Sequence, residues 1–235
     1  MIIYPQPKFF MKTQIFHVAA IVFLAVATVS CKKENPTPDP TSVTDIDGNT
    51  YAVVKICGKF WMAENLRTTR YTDGAAITTN LANAQWDAAT TGAFAIYEGD
   101  AANNATYGKL YNWFAASSGK LAPAGWHVAT EAEWNALVTC LGGSGVAGGK
   151  MKSVSALWSA PNAGANNSSG FGGLPAGYRS SNGPYALKGR AAYFWGADQR
   201  NATQGEYLLL SADFATTATN GATKQFGYSV RCVKD

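Results

Sequence analysis

Residues 130–143 read T-E-A-E-W-N-A-L-V-T-C-L-G-G, and how this stretch starts, turns and stops decides the kind of fold. Thr130 followed three residues on by Glu133 is a capping box: the hydroxyl accepts from the Glu133 amide while the carboxylate reaches back to the helix start. Trp134, Leu137, Val138 and Leu141 then recur at helical spacing and make one apolar face. Gly142 and Gly143 end the helix, since glycine takes the left-handed backbone of a C-terminus without a side-chain penalty. Outward from this helix the signals are mostly β. Residues 51–56 follow the turn D-G-N at 47–49, and 60–62 follow Gly58-Lys59, which predicts a hairpin. A short helix is expected over 109–116. Beyond Gly149 the composition shifts to Gly, Asn, Ser and aromatics, with strands expected at 177–179, 191–195, 207–211 and 228–233. No linker divides 43–235, so the expectation is one α+β domain of short antiparallel strands, one or two helices and a loop-rich C-terminal half.

The chain has 235 residues, 47% apolar and 14% charged, with 24 Gly and 12% aromatics. That is globular material, which excludes disorder, collagen and coiled coil. The formal charge of +4 includes Lys8 and Lys12 from a segment read below as removed. What remains is weakly basic and scattered, unlike the clustered basic stripe of a nucleic-acid groove, so no nucleic-acid partner is expected.

From Met11 the sequence runs M-K-T-Q, an apolar stretch over 15–27, then T-V-S-C ending at Cys31. This is the layout of a secretory signal, and the stretch is shorter than the roughly 20 apolar residues a membrane-spanning helix needs. Residues 1–10 make a poor n-region, so the signal is read from Met11. Small residues directly before Cys31 resemble the lipobox of bacterial lipoproteins, in the looser form of Bacteroidetes-type bacteria, because Thr28 stands where Leu is usual. The resemblance implies that 1–30 is a signal peptide and that Cys31 is acylated, holding the chain to the outer membrane by its lipid. The polar, Pro-rich segment 31–42 reads as a tether carrying the domain of 43–235 off the membrane. Its charged start is similar to surface-export signals, which favours outward display.

Three cysteines remain for an oxidising compartment: Cys57, Cys140 and Cys232. Three pairings are open. Cys57 and Cys232 lie in strand-like runs at opposite ends of the domain, so pairing of neighbouring terminal strands favours a Cys57–Cys232 disulfide, with Cys140 packed as a small hydrophobe. No C-x-x-C spacing suggests a redox or zinc site.

Five blocks carry a resemblance: F-W-M-A-E-N-L-R at 60–67, Y-G-K-L-Y-N-W at 107–113, P-A-G-W-H-V-A-T-E-A-E-W at 123–134, N-S-S-G-F-G-G-L-P-A-G-Y-R at 167–179 and G-Y-S-V-R-C-V at 227–233. In this order they resemble the Fibrobacter succinogenes major paralogous domain of exported bacterial proteins. More distantly, the third and fifth blocks are similar to the formylglycine-generating branch of C-type lectin-like folds. This implies a compact domain with paired termini and one loop-rich face. The copper-holding cysteine pair of those relatives does not carry over, because only Cys232 stands near the chain end.

Catalysis is not expected, and neither is a cofactor or metal. His127 is the one histidine outside the signal and reads as packed and hydrogen-bonded. Asp198 and Glu206 are weak evidence for a glycosidase pair. The D-I-D-G-N stretch at 45–49 reads as a turn before it reads as a calcium loop. Recognition remains: the segment from Arg179 onward mixes aromatic and arginine anchors with small polar residues, as binding surfaces do. The expected ligand-binding residues are Arg179, Tyr185, Arg190, Asp198, Arg200 and Tyr207, for a glycan or protein ligand in adhesion or recognition. The alternative is a structural lipoprotein that packs against another envelope protein.

Overall fold

A computed structural model describes residues 1–8, 10 and 38–235. Cys31 and the apolar signal stretch therefore lie outside the described residues. The chain divides into two units, Met1–Pro38 and Asp39–Asp235. In the first, the described residues up to Phe10 carry no regular secondary structure and are exposed. Among the described residues no helix is long and apolar enough to cross a membrane.

The second unit is mixed α and β. It begins with strands β1 (Ser42–Thr44), β2 (Thr50–Ile56) and β3 (Lys59–Met62). Helix α1 (Asn83–Asp87), β4 (Phe94–Ala95), a 3-10 turn (Tyr97–Gly99), α2 (Ala101–Tyr107) and β5 (Leu110–Tyr111) follow. Then come α3 (Trp113–Ala116), β6 (Trp126–Val128), α4 (Glu131–Cys140) and α5 (Ser144–Met151). The C-terminal half holds β7 (Tyr178–Arg179), β8 (Tyr185–Ala186), β9 (Ala191–Gln199), β10 (Gln204–Ser211), β11 (Thr217–Thr223) and β12 (Cys232–Lys234).

One antiparallel sheet has the order β1-β2-β3-β12-β6, so the last strand sits between β3 and β6 and ties the two ends of the domain together. A meander, β11-β10-β9, forms a second sheet. The segment before β12 stitches the two halves: Trp195 N–H donates to Ser229 and Ser229 N–H to Tyr193, both at 3.0 Å, while Tyr228 exchanges backbone bonds with Tyr111.

Helix α4 forms as its sequence requires. The Thr130 hydroxyl accepts from the Glu133 amide at 3.2 Å and Glu133 Oε2 accepts from the Thr130 amide at 3.0 Å. Trp134 is driven into a fully buried cluster with Trp61, Phe171 and Phe194, with ring centroids 5.0, 6.0 and 6.0 Å away. A second aromatic cluster gathers Trp195, Tyr193, Tyr207 and Tyr228, with Trp195 and Tyr228 4.4 Å apart. Aromatic burial at this scale dominates core energetics.

Two buried cations hold the loop-rich half to this core. Arg231, with no exposed surface, donates to Asn65 Oδ1, to the carbonyls of Met62 and Phe171 at 2.8 and 2.7 Å, and to Gly172. Burial lowers its pKa to about 9, against the pull of Glu64. Lys152, equally buried, spends its three N–H bonds on the carbonyls of Ala163, Ser211 and Phe214.

The structure corrects several expectations. The disulfide joins Cys57 to Cys140, with Cα atoms 6.4 Å apart, and Cys232 is free and buried. Cys57 stands in the exposed β2–β3 turn at φ +53°, beside the end of α4, whereas Cys232 turns its thiol into the core from a central strand. Cys140 is thus an exposed bridge and not a buried hydrophobe. The helix expected over 109–116 is shorter, because Leu110 and Tyr111 pair with Phe94–Ala95 as strands. Asn112 then caps α3 by accepting from the Ala115 amide. The Gly-rich stretch after Gly143 is helical, and its glycines let backbones meet: a Cβ on Gly148 would stand 2.3 Å from the Thr216 carbonyl oxygen.

Candidate functional site

The six expected ligand-binding residues fall into three places. On the surface, Arg190 Nη2 donates to both carboxylate oxygens of Asp213, at 2.9 and 2.8 Å. Asp198, Arg200 and Tyr207 lie around the β9–β10 turn, where each is occupied. Asp198 accepts from the Glu131 amide and so caps α4, and Arg200 pairs with Glu206. Tyr207 packs into the aromatic cluster, 5.1 Å from Tyr228. Burial raises the Glu206 pKa, with Arg200 opposing. Asp45 and Asp47 of the D-I-D-G-N turn are likewise filled by protein donors. Asp45 takes the amides of Asp47 and Asn49 and the Tyr51 hydroxyl. Asp47 takes Thr68, Thr69 and Arg70. His127 is clamped between Asp235 on Nδ1 and Glu133 on Nε2, the latter at 2.8 Å.

Arg179 and Tyr185 are different, because the structure brings them together beside open space. They face one another across the β7–β8 hairpin, in register Arg179↔Tyr185. The hairpin turn is closed by Ser180 N–H donating to Pro184 and Gly183 N–H to Ser180. Gly183 stands at φ +112°, and a Cβ there would meet the Asn83 side chain at 2.2 Å, so only glycine lets this turn rest on α1. Arg179 is held flat: its Cζ lies 4.3 Å from the Trp86 ring centroid and 5.4 Å from that of Tyr185. Nε donates to the Gly183 carbonyl at 3.0 Å, and Nη2 donates to the Leu81 carbonyl at 2.8 Å and to Asn83 Oδ1. Burial pulls the guanidinium below its ordinary pKa, with Tyr185 opposing.

Over these two side chains lies a cleft of about 380 Å³, walled by Thr79, Asn80, Ala82, Gln85 and Ile96, within the range of small-ligand sites. Gln85 is anchored by Oε1, which accepts from the Ala82 amide at 3.0 Å. Its Nε2, the Asn80 amide and the Tyr185 hydroxyl have no protein partner among the described residues. Neither histidine, cysteine nor carboxylate is among the described residues lining the cleft. Also among the described residues, no group of three His, Cys, Asp or Glu side chains is placed to hold a metal. A separate depression of about 250 Å³ near Thr44, Leu121 and Pro123 offers mostly apolar walls, and its Asp45 carboxylate is already taken. Of the two, the cleft over Arg179 is the better candidate, because its polar groups are left without protein partners among the described residues. The sequence pointed to Arg179 and Tyr185 but not to Asn80 and Gln85. The one signal for the latter is the cluster of amide side chains in N-L-A-N-A-Q-W at 80–86.

A sequence model of the family described as the Fibrobacter succinogenes major domain matches residues 54–234. The chain belongs to that family. No curated protein and no solved structure matches it.

Proposed function

We propose that this member of the Fibrobacter succinogenes major domain family is a lipid-anchored envelope protein that displays a non-catalytic binding domain outward from the outer membrane. The cleft over Arg179 and Tyr185 is its recognition site, for adhesion to or capture of a glycan. The observation that carries the reading is the cleft itself: a rigid cation and an aromatic ring beneath amide groups that have no protein partner among the described residues. A C-type lectin-like architecture accords with the central terminal strand and the loop-rich C-terminal half. The signal-like N-terminus and Cys31 supply the export and the anchor. Intact cells treated with an impermeant protease, comparing wild type with Cys31→Ser, test this reading. Cleavage of the wild-type domain, lost from the membrane fraction in the variant, is expected. Full protection of the wild-type domain would overturn surface display and favour a packing partner inside the envelope.

A further inference from the structure

Four of the six arginines are neutralised by carboxylates. Arg67 pairs with Glu64, Arg70 with Asp47, Arg190 with Asp213 and Arg200 with Glu206. Arg179 and Arg231 are buried, at 4% and 0% exposure, without a carboxylate partner among the described residues. They differ in how they are sealed. Around Arg231 every guanidinium nitrogen donates to a carbonyl or amide oxygen of the core. Around Arg179, Nε and Nη2 are filled by neutral oxygens, and Nη1 has no partner among the described residues. This side chain forms part of the cleft wall. A buried charge left unneutralised is costly, and a guanidinium nitrogen in a low-dielectric site is a strong, directional donor to a carboxylate.

The rest of the lining limits what brings that carboxylate. Tyr185 contributes an aromatic ring and a hydroxyl, while Asn80, Gln85 and Thr79 contribute neutral groups that bond hydroxyls in either sense. Glu98, the acid nearest Tyr185 in charge effect, is exposed and so screened by water. We propose that the cleft recognises an acidic saccharide of the uronic-acid class: Arg179 Nη1 donates to the sugar carboxylate, and Asn80 and Gln85 bond ring hydroxyls beside Tyr185. This rests on reading the domain as a glycan-binding module and goes further in naming the charge of its ligand.

The test is calorimetry on the full-length protein in detergent. The probes are trigalacturonate and a glucuronate-bearing disaccharide, each alongside its methyl ester, which keeps the ring and removes the charge. At least one free acid should bind tenfold or more tighter than its ester. Gln85→Ala and Asn80→Gly, both exposed, should weaken that binding several-fold, with folding checked by the melting curve because Gln85 also accepts from the Ala82 amide at the start of α1. Glycine at 80 keeps the left-handed backbone, φ +57°, that Asn80 adopts. Arg179→Lys should abolish the preference for acid over ester, with folding checked by the melting curve. Equal binding of acid and ester would overturn the acidic class while leaving a glycan module standing. Acid binding that is indifferent to Gln85→Ala and Asn80→Gly would overturn the site. Binding of neither acid nor ester, with surface display intact, would overturn the ligand class and the glycan reading together.

Discussion

The Cys57–Cys140 bridge closes a loop of 83 residues, and a cross-link acts largely by removing freedom from the unfolded chain. For a loop of that length the chain-entropy relation gives about 4.5 kcal/mol at 25 °C. Over a domain of this size such a loss lowers Tm by about 10 °C or more. Urea unfolding followed by tryptophan fluorescence, comparing wild type with Cys57→Ser/Cys140→Ser, measures it directly. The variant should lose about 3–4.5 kcal/mol, and reductant should destabilise wild type by a similar amount while leaving the variant untouched. Cys232→Ser serves as the control. It buries a hydroxyl where a thiol sat, which costs about 1–3 kcal/mol, but it must keep the full response to reductant because its thiol is not in the bridge. Loss of that response in Cys232→Ser, or a Cys57→Ser/Cys140→Ser variant within about 1 kcal/mol of wild type, would refute the connectivity and the reasoning from loop length.

Other outcomes follow from single contacts. Gly145→Ala in α5 meets nothing within 4 Å and should stabilise by about 0.5–1 kcal/mol through helix propensity. Gly148→Ala, in the same helix, should destabilise by about 1–3 kcal/mol, since its Cβ would press on the Thr216 and Ala215 carbonyls at 2.3 and 2.8 Å. Thermal melts of both check the sign, and stabilisation by Gly148→Ala would contradict the packing. Arg231→Ala should cost about 3–5 kcal/mol in urea unfolding, because it strips a buried donor from four oxygens; a near-native midpoint would refute that role. Burial works to lower the His127 pKa, but bonds to Asp235 and Glu133 outweigh it and raise it above 6.5. Its contribution is therefore full below pH 6.5 and fades as pH rises through the higher folded value. The stability gap between wild type and His127→Gln should shrink from pH 6 to pH 9, and a constant gap would contradict the clamp.

Much of the framework was legible because it is local. The capping box at Thr130–Glu133, the hairpin around Gly58 and the strands near 191–195 and 207–211 are each written in a few neighbouring residues. What escaped the sequence is set by contacts far apart in the chain. Helix α5 forms despite its glycines because Gly148 and Gly149 rest on the backbones of Thr216 and Gly164. Strand β5 replaces a helical turn because Phe94 and Tyr228 pair with it. The disulfide follows from where the β2–β3 turn meets the end of α4, a distance that no spacing of cysteines encodes. Composition picked Arg179 and Tyr185 from a longer set, yet it could not separate them from Arg200 or Asp198, whose partners fill them. Asn80 and Gln85 line the cleft across from the β7–β8 hairpin, far from it in sequence.

A ligand seated over Arg179 and Tyr185 would shield the backbone that walls the cleft from solvent. Hydrogen–deuterium exchange of the full-length protein, with and without a saturating uronate oligosaccharide, reads that shielding directly. Slowed exchange confined to 79–85, 95–99 and the hairpin 178–186 is the predicted result. Protection centred on the β9–β10 turn around Arg200, or none at all, would contradict it.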